Sequence, residues 1–414
     1  MDPQTIIDGL REKVTPTTGT DVPERFARRL DENLKANNIR AEVLLGGSFA
    51  KGTYLEGDHD VDVFVRFDPR YNDEEMPDLT AKALQPFEGV ERVHGSRDYF
   101  QLDHQGFSFE VVPVLHVTEA GEARNVTDVS PLHVNHVQRA VKDNPSIASD
   151  IRLAKLFCKA AKVYGAESYL NGFSGHVLDN LIIHYGSLLE LLRAAAEWPD
   201  ELFLDPSGQH EDASFLNPAK RAGPLVLLDP IQPERNAAAA LSRERYDAFR
   251  KQARVFLDHP DESFFTPKPL TKDDIIRHNP DKNVLCYRLQ PLEGSKDVAG
   301  TKLLKAHEHL VKQAEKEGFT IHDEGFEFDG DKALAFIATE ERALPAYREM
   351  QGPPTRVEKA AKRFREAHEG EEVTERDGRL YANVKRKHTT LASLFEAVEN
   401  GSYWQKRVAG AKII

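Results

Sequence analysis

Cysteine is nearly absent, with only Cys158 and Cys286 in 414 residues. The two stand far apart and in no CxxC spacing, which excludes a disulfide framework and a cysteine-based zinc site and predicts reduced thiols. Long apolar runs are missing too, and the start, from Met1 through Asp2 and Asp8, lacks the basic and then apolar layout of a secretory signal. These absences predict a cytoplasmic protein with no membrane contact. Nor is there an excess of positive charge: 55 Lys and Arg against 68 Asp and Glu leave a formal charge of −13. Phosphate contacts need clustered Lys and Arg, so coating of nucleic acid through one global basic surface is excluded and any such site must be local. Excess acid otherwise serves solubility. No internal repeat and no low-complexity tract interrupts the chain.

What is present is enough chain for two or three cores. Two helical patterns open it, Ile6-Ile7-Leu10-Val14 and then Val22 to Leu34. Short strands are predicted over Ala41 to Leu45, Asp60 to Phe67, Asp98 to Leu102 and Phe107 to Val114. From Ile151 to about Leu257 the periodicity is helical, and Leu178 to Leu192 is long enough for one buried helix. Three prolines between Asp258 and Leu270 mark a boundary. Beyond it, strands are predicted at Cys286 to Leu289, Phe319 to His322, Ala333 to Ala338 and Leu380 to Lys385, with helices over Lys302 to Lys316 and Val357 to Ala367. The expected architecture is α/β and α+β multidomain: a catalytic head over 1–140, a helical domain over 141–260 and an α+β tail over 261–414.

Chemistry concentrates between Gly46 and Val65. Side chains on a strand alternate, so Asp60 and Asp62 point to one face while Val61, Val63 and Val65 point to the other, the core side. Two carboxylates so close repel unless a cation neutralises them, and hard oxygen ligands suit Mg²⁺, which leaves coordination places for phosphate oxygens. Glu110 is the one acid in the apolar strand Phe107 to Pro113, where burial without a partner is costly. If that strand neighbours the first, the roughly 4.8 Å strand spacing brings Glu110 to the same metal site. Three acids can then hold two metal ions suited to in-line phosphoryl transfer. The small residues of Gly46-Gly47-Ser48 let backbone N–H groups approach a phosphate, a following helix would aim its positive end there, and Ser48 and Lys51 can reach the same triphosphate. Taken alone, a Gly-Gly-Ser is an ordinary turn and a DxD a solvated strand end; the information lies in their spacing.

That combination resembles the DNA polymerase beta superfamily of nucleotidyltransferases, whose signature is a Gly-Ser, a pair of acids one residue apart and a third acid on a later strand. Further segments narrow the likeness: Ser130-Pro131-Leu132-His133, Arg152-Leu153-Ala154-Lys155-Leu156-Phe157, Val163-Tyr164-Gly165-Ala166-Glu167 and Gly172-Phe173-Ser174-Gly175. With Ile183-His184-Tyr185-Gly186-Ser187, Asp229-Pro230, Arg235-Asn236, Gly352-Pro353-Pro354 and Val384-Lys385-Arg386-Lys387, the chain is similar over nearly its whole length to the archaeal-type (class I) CCA-adding enzymes. The resemblance implies a polymerase-beta-like head, metal ligands at Asp60, Asp62 and Glu110, and triphosphate contacts at Ser48 and Lys51. It also implies ATP or CTP contacts at His133, Lys155 and Tyr164 and a base-reading role for Arg235. Without it, Tyr164 reads as core, Lys155 as the wet face of a helix and His133 as a cap.

The implied reaction is addition of C, C and A to a tRNA 3′ end, with Mg²⁺ as cofactor and ATP, CTP, the tRNA acceptor end and its stacked arm as partners. A homodimer is left open. Against the family pattern, Glu110 stands where the third acid is usually Asp, and Lys51 where the triphosphate residue is usually Arg. Glu reaches one methylene further, and Lys is a point charge without bidentate geometry. Lys385, Arg386 and Lys387, with Arg356, Lys359, Lys362, Arg363 and Arg365, are candidate phosphate contacts, although Glu358, Glu366 and Glu369 are interleaved with the latter group. Other readings of the core motif are an oligoadenylate or cyclic-dinucleotide synthase, a poly(A) polymerase, or a silent RNA-binding relative.

Overall fold

The computed structural model describes residues 2–16 and 21–414, which form two compact units, Met1–Lys268 and Pro269–Ile414. In the first unit, a mixed sheet has the order β1 (Ala41–Leu45), β2 (Asp60–Phe67), β5 (Phe107–Leu115), β4 (Tyr99–His104), β3 (Glu91–Val93). β2 and β5 run parallel, and the other pairs are antiparallel. Val61, Val63, Val65 and Phe67 are buried on one face with Phe109 and Val111, packed against Phe26, Leu30 and Leu34 of α2 (Val22–Ala36) and Met76, Ala83 and Leu84 of α4 (Glu75–Leu84). Burying that alternate set fixes the register, because a one-residue slip would move every acid into the core. The opposite face carries Asp60, Asp62 and Glu110.

The remainder of the first unit is helical. α1 (Pro3–Lys13) is first in the chain, yet its Ile6, Ile7 and Leu10 lie in the same core as residues of α6 (Ser146–Ala160), α7 (Gly175–Tyr185), α8 (Leu188–Glu197) and α9 (Arg243–Asp258). Arg11 of α1 holds the buried Asp150 of α6 through two hydrogen bonds, of 2.7 and 3.0 Å. The expected single helix from Leu178 to Leu192 is two. Gly186 takes φ +82° and ends α7, and the Ser187 side chain then accepts from the Glu190 N–H to start α8. Phe265, in the proline-rich stretch, is buried in this core beside Phe157 and Phe256, so the unit runs on to Lys268. Shorter pieces complete it: α3 (Gly47–Lys51), α5 (Ser130–Asp143) and the parallel pair β6 (Leu202–Leu204) and β7 (Leu225–Leu227).

In the second unit, α10 (Lys272–His278) precedes a four-stranded antiparallel sheet of order β14 (Val408–Ile413), β8 (Asn283–Pro291), β10 (Ala333–Thr339), β9 (Ile321–Phe328). The 22-residue helix α11 (Lys296–Glu317) buries Leu303, Ala306, Leu310 and Ala314 on it, and begins six residues before the expected start at Lys302. A second sheet, β11 (Tyr347–Pro354), β13 (Arg379–Lys385), β12 (Glu372–Arg376), is joined by α12 (Glu358–Ala367). α13 (Leu391–Glu399) and α14 (Ser402–Gln405) close the unit through Phe395 and Trp404. Among the described residues, no helix is long and apolar enough to cross a membrane.

Candidate active site

The three predicted acids meet because β2 and β5 are parallel neighbours. In their register Asp62 lies opposite Glu110 and Asp60 opposite Ser108, so the three carboxyl groups share one face of adjacent strands. Burial pushes the Asp62 carboxyl above the usual carboxylate range and Asp60 pushes it further, against the pull of Lys51. Burial and then Asp62 do the same to Glu110, while a 3.3 Å hydrogen bond from Gln101 opposes them. Asp62 and Glu110, two half-buried carboxyl groups that resist ionisation beside each other, with the exposed Asp60 on the same face, leave the site short of positive charge. Oxygen donors of this kind fit a hard divalent cation.

The glycines of Gly46-Gly47-Ser48 permit a close approach as well as a turn. The Gly46 N–H donates to the Asp62 carbonyl at 2.7 Å, laying the loop directly over β2. A Cβ on Gly46 would come within 2.5 Å of the Phe64 ring, and one on Gly47, at φ +53°, within 1.7 Å of Asp62 Oδ2. Any side chain at these positions would therefore displace an acid of the site or the strand under it. The expected following helix is α3, only five residues long and ended by Gly52 at φ +66°. Its macrodipole is correspondingly short, so its contribution is the unpaired N–H groups of its first turn. α5 braces it, with Gln138 Nε2 donating to the Ala50 carbonyl at 2.7 Å.

Lys51, Lys155 and Tyr164 gather around a residue that sequence reasoning missed. Lys51 Nζ makes a 2.8 Å ion pair with Asp179 of α7, the two side chains only 11% and 3% exposed. Lys155 is buried rather than on a wet helix face; its Nζ donates to the Thr53 carbonyl at 2.8 Å, while Arg152, one turn earlier, donates to the carbonyl of Gly52. Two cations of α6 thus clamp the backbone leaving α3. Burial lowers the Lys155 ammonium pKa, with Asp179 opposing, and raises the Tyr164 phenol, to which Asp179 adds. The signal for Asp179 was available, as an acid inside the apolar run Val177 to Ile183.

His133 and Arg235 form a separate group around Asp229. The turn after β7 is closed by the buried Asn236, whose Oδ1 accepts from the Leu227 and Ala238 N–H groups at 3.0 and 2.9 Å. This holds Asp229 and Arg235 together, with Arg235 Nη1 at 3.7 Å from Asp229 Oδ2. His133 Nε2 lies 2.8 Å from Asp229 Oδ1, and His176 Nε2, on α7, lies 3.0 Å from Oδ2. Burial alone would raise the Asp229 carboxyl, but the hydrogen bonds from the two imidazoles hold it well below the usual range. Burial also lowers the His133 imidazole pKa, so a neutral His133 ring donates to an ionised carboxylate. His176 was another omission, a histidine at the start of α7. One helix therefore serves both groups, His176 facing Asp229 and Asp179 facing Lys51.

Among the described residues, the three-donor cluster with all its atoms within 4.8 Å of one another is His133, His176 and Asp229, not the carboxylates. Its nitrogen donors would suit a borderline metal, but the Arg235 guanidinium already supplies positive charge to Asp229. The acid set is the one whose charge is uncompensated.

A glycine loop laid over paired strands that present three acids defines the polymerase-beta-like nucleotidyltransferases, a class that generally uses divalent metal ions. The family model "Nucleotidyltransferase domain" matches residues 24–100, "tRNA nucleotidyltransferase, second domain" matches 149–266, and "CCA-adding enzyme, C-terminal domain" matches 293–409. The chain is similar to the CCA-adding enzyme of Methanopyrus kandleri, with 31% identity over 96% of this chain and 87% of that protein. The same is true of those of Halobacterium salinarum (30%, 89% and 81%) and Nanoarchaeum equitans (30%, 83% and 84%). It belongs to the CCA-adding enzyme family. Among solved structures, the Cid1 poly(U) polymerase bound to MgATP superposes with a TM-score of 0.52 at 13% identity, over 64% of this chain and 98% of that one. A cytoplasmic RNA terminal U-transferase gives 0.51 at 13%, with the same coverage. At that identity the likeness is one of fold.

Proposed function

We propose that this protein adds C, C and A, without a template, to the 3′ end of immature or damaged tRNA, consuming CTP twice and ATP once and releasing pyrophosphate each time. The observation that carries the reading is the in-register pairing of Asp62 with Glu110 under the Gly46-Gly47 loop, in a chain of this family. Asp60, Asp62 and Glu110 would hold Mg²⁺, which when bound offsets charge on the attacking hydroxyl and leaving oxygens. The backbone N–H groups from Gly47 onward and the Ser48 hydroxyl receive the triphosphate, and Lys51, already fixed by Asp179, presents a cation to it. Lys155 keeps that loop in place through Thr53. Tyr164 and His133 bound the nucleotide, and the half-exposed Arg235 offers its planar donors to the base in place of a template strand. A tRNA substrate supports a cytoplasmic setting.

The test uses tRNA ending at the discriminator base, incubated with CTP, with ATP and with both, followed by sequencing of the product ends. We expect two C residues with CTP alone and a complete CCA with both. A homopolymeric adenylate tail with CTP unused would overturn the proposal in favour of a poly(A)-type polymerase.

A further inference from the structure

α5, α7 and the turn after β7 bring two imidazoles to one carboxylate, and the nucleotide reading above uses only one of the rings. His133 Nε2 and His176 Nε2 face Asp229 at 2.8 and 3.0 Å, and the two nitrogens and a carboxylate oxygen lie within 4.8 Å of one another. The rings stand edge to face, with centroids 4.6 Å apart and planes at 67°, so their nitrogens converge without stacking. Asp229 is fixed from behind: its Oδ1 accepts from the Ile231 and Gln232 N–H groups at 2.9 and 3.1 Å, which leaves Oδ2 towards His176. Burial first, and then His133 and His176, lowers the imidazole pKa of His136, one turn further along α5, so a third ring stands beside the pair.

Two contacts at His176 are at odds. Its Nε2 meets the Asp229 carboxylate, an acceptor, at 3.0 Å and the Asn180 amide nitrogen, a donor, at 3.2 Å. No tautomer satisfies both. Asn180 is 2% exposed, and among the described residues its amide oxygen has no partner. A cation between Nε2 and Oδ2 removes the conflict. The nitrogen lone pair and the carboxylate both turn to it, and the rotated Asn180 amide offers its oxygen to the ion or to a water on it. Arg235 supplies its charge to Asp229 from 3.7 Å, beyond hydrogen-bond reach, on a side chain 45% exposed, so it can withdraw into water when an ion enters.

We propose that His133, His176 and Asp229 form a site for a borderline divalent ion of the Zn²⁺ type, separate from the Mg²⁺ acids, and that this ion and the nucleotide exclude each other. Two nitrogens and an oxygen suit Zn²⁺ and its neighbours in the first transition row, whereas Mg²⁺ takes oxygen. With bonds of about 2.0–2.2 Å, a tetrahedral ion sets its donors about 3.3 Å apart, slightly wider than the contacts of 2.8 and 3.0 Å here. Each ligating ring passes to the tautomer with its proton on Nδ1. The exclusion rests on the nucleotide reading above: an ion that occupies His133 and displaces Arg235 removes two of the groups assigned to the nucleotide. The site is therefore inhibitory.

The test uses the full chain, freed of metal by a chelator and then held in excess Mg²⁺ to fill the acid set. Co²⁺ is titrated as a spectroscopic substitute for Zn²⁺, and Zn²⁺ is added in competition. We expect one Co²⁺ per chain, with the intense visible bands of a four-coordinate ion and no thiolate charge transfer, displaced by Zn²⁺. H176A and D229N should each weaken Zn²⁺ binding by about 100-fold or more and N180A by about tenfold, while D62N leaves it unchanged. In nucleotide addition at constant excess Mg²⁺, Zn²⁺ should raise KM for CTP and ATP with little change in kcat, and H176A should need more Zn²⁺ in proportion to its lost affinity. Only the pale absorption of six-coordinate Co²⁺, or a site that persists in both H176A and D229N, would overturn the proposal. So would inhibition that H176A does not relieve, the mark of Zn²⁺ entering the acid set instead. A chain that holds Co²⁺ as expected yet adds no nucleotide to tRNA would overturn the functional reading and leave the metal site standing.

Discussion

At the scale of single residues, Asp62 is where stability and chemistry oppose each other. Its folded pKa is raised, so its contribution to stability is fully present below the unfolded value and is lost as pH rises through the folded one. In metal-free buffer at neutral pH, D62N should therefore melt above wild type, by roughly 2 °C for each kcal/mol relieved. The advantage should vanish as pH falls through the raised pKa, and scanning calorimetry across pH reads it. The same variant should lose CCA addition while still binding tRNA; retained activity would refute the metal assignment. Gly47→Ala acts by position, costing about 1 kcal/mol for its left-handed backbone and forcing Asp62 aside, so nucleotide addition should fall far more than stability. Asp229→Asn removes the charge shared by His133, His176 and Arg235. We expect higher KM for both CTP and ATP with a smaller change in kcat; unchanged KM values would remove the Asp229 group from nucleotide binding.

At the scale of elements, the strands of the head were legible because one face of each is apolar, and the parallel pairing put Asp62 and Glu110 together as the sheet argument required. The break within Leu178 to Leu192 was not read, since apolar periodicity continues through Gly186-Ser187 and only the backbone reversal reveals two helices. Gly186→Ala should destabilise by about 1 kcal/mol, because alanine at φ +82° is strained, a loss measurable by urea unfolding. The short strand β3 also escaped, being three residues with two exposed. Without the family likeness Lys155 reads as a wet helix position, and for a general reason that reading fails: an amphipathic pattern does not say whether a charged position meets water or the carbonyl of another loop. Asp179 and His176 escaped because each takes its meaning from a partner more than fifty residues away.

At the scale of the whole molecule, two compact units predict two unfolding events. Phe157 is buried in the helical core of the first unit, and Leu303 is on the buried side of α11 in the second. Phe157→Ala should destabilise by about 3–5 kcal/mol and Leu303→Ala by about 2–5 kcal/mol, each lowering its own transition in a calorimetric scan; a shared single shift would mean that the units unfold as one. The departures at Glu110 and Lys51 also make sense at this scale, since the longer acid still faces Asp62 and the ammonium finds a buried carboxylate across the unit.

The sequence by itself determined the acid pair, the glycine turn and the family, because those depend on spacing within a few residues and on strand alternation. It also placed the two Lys- and Arg-rich stretches of the tail. Only the tertiary structure decided that α7 would join two groups of site residues, that α1 would pack with the helices, and that Lys51 would meet a buried carboxylate of α7. Each of these turns on which distant side chains fill the space around a charge, and a carboxylate brought within 3–4 Å alters that charge's energy by more than any local propensity can.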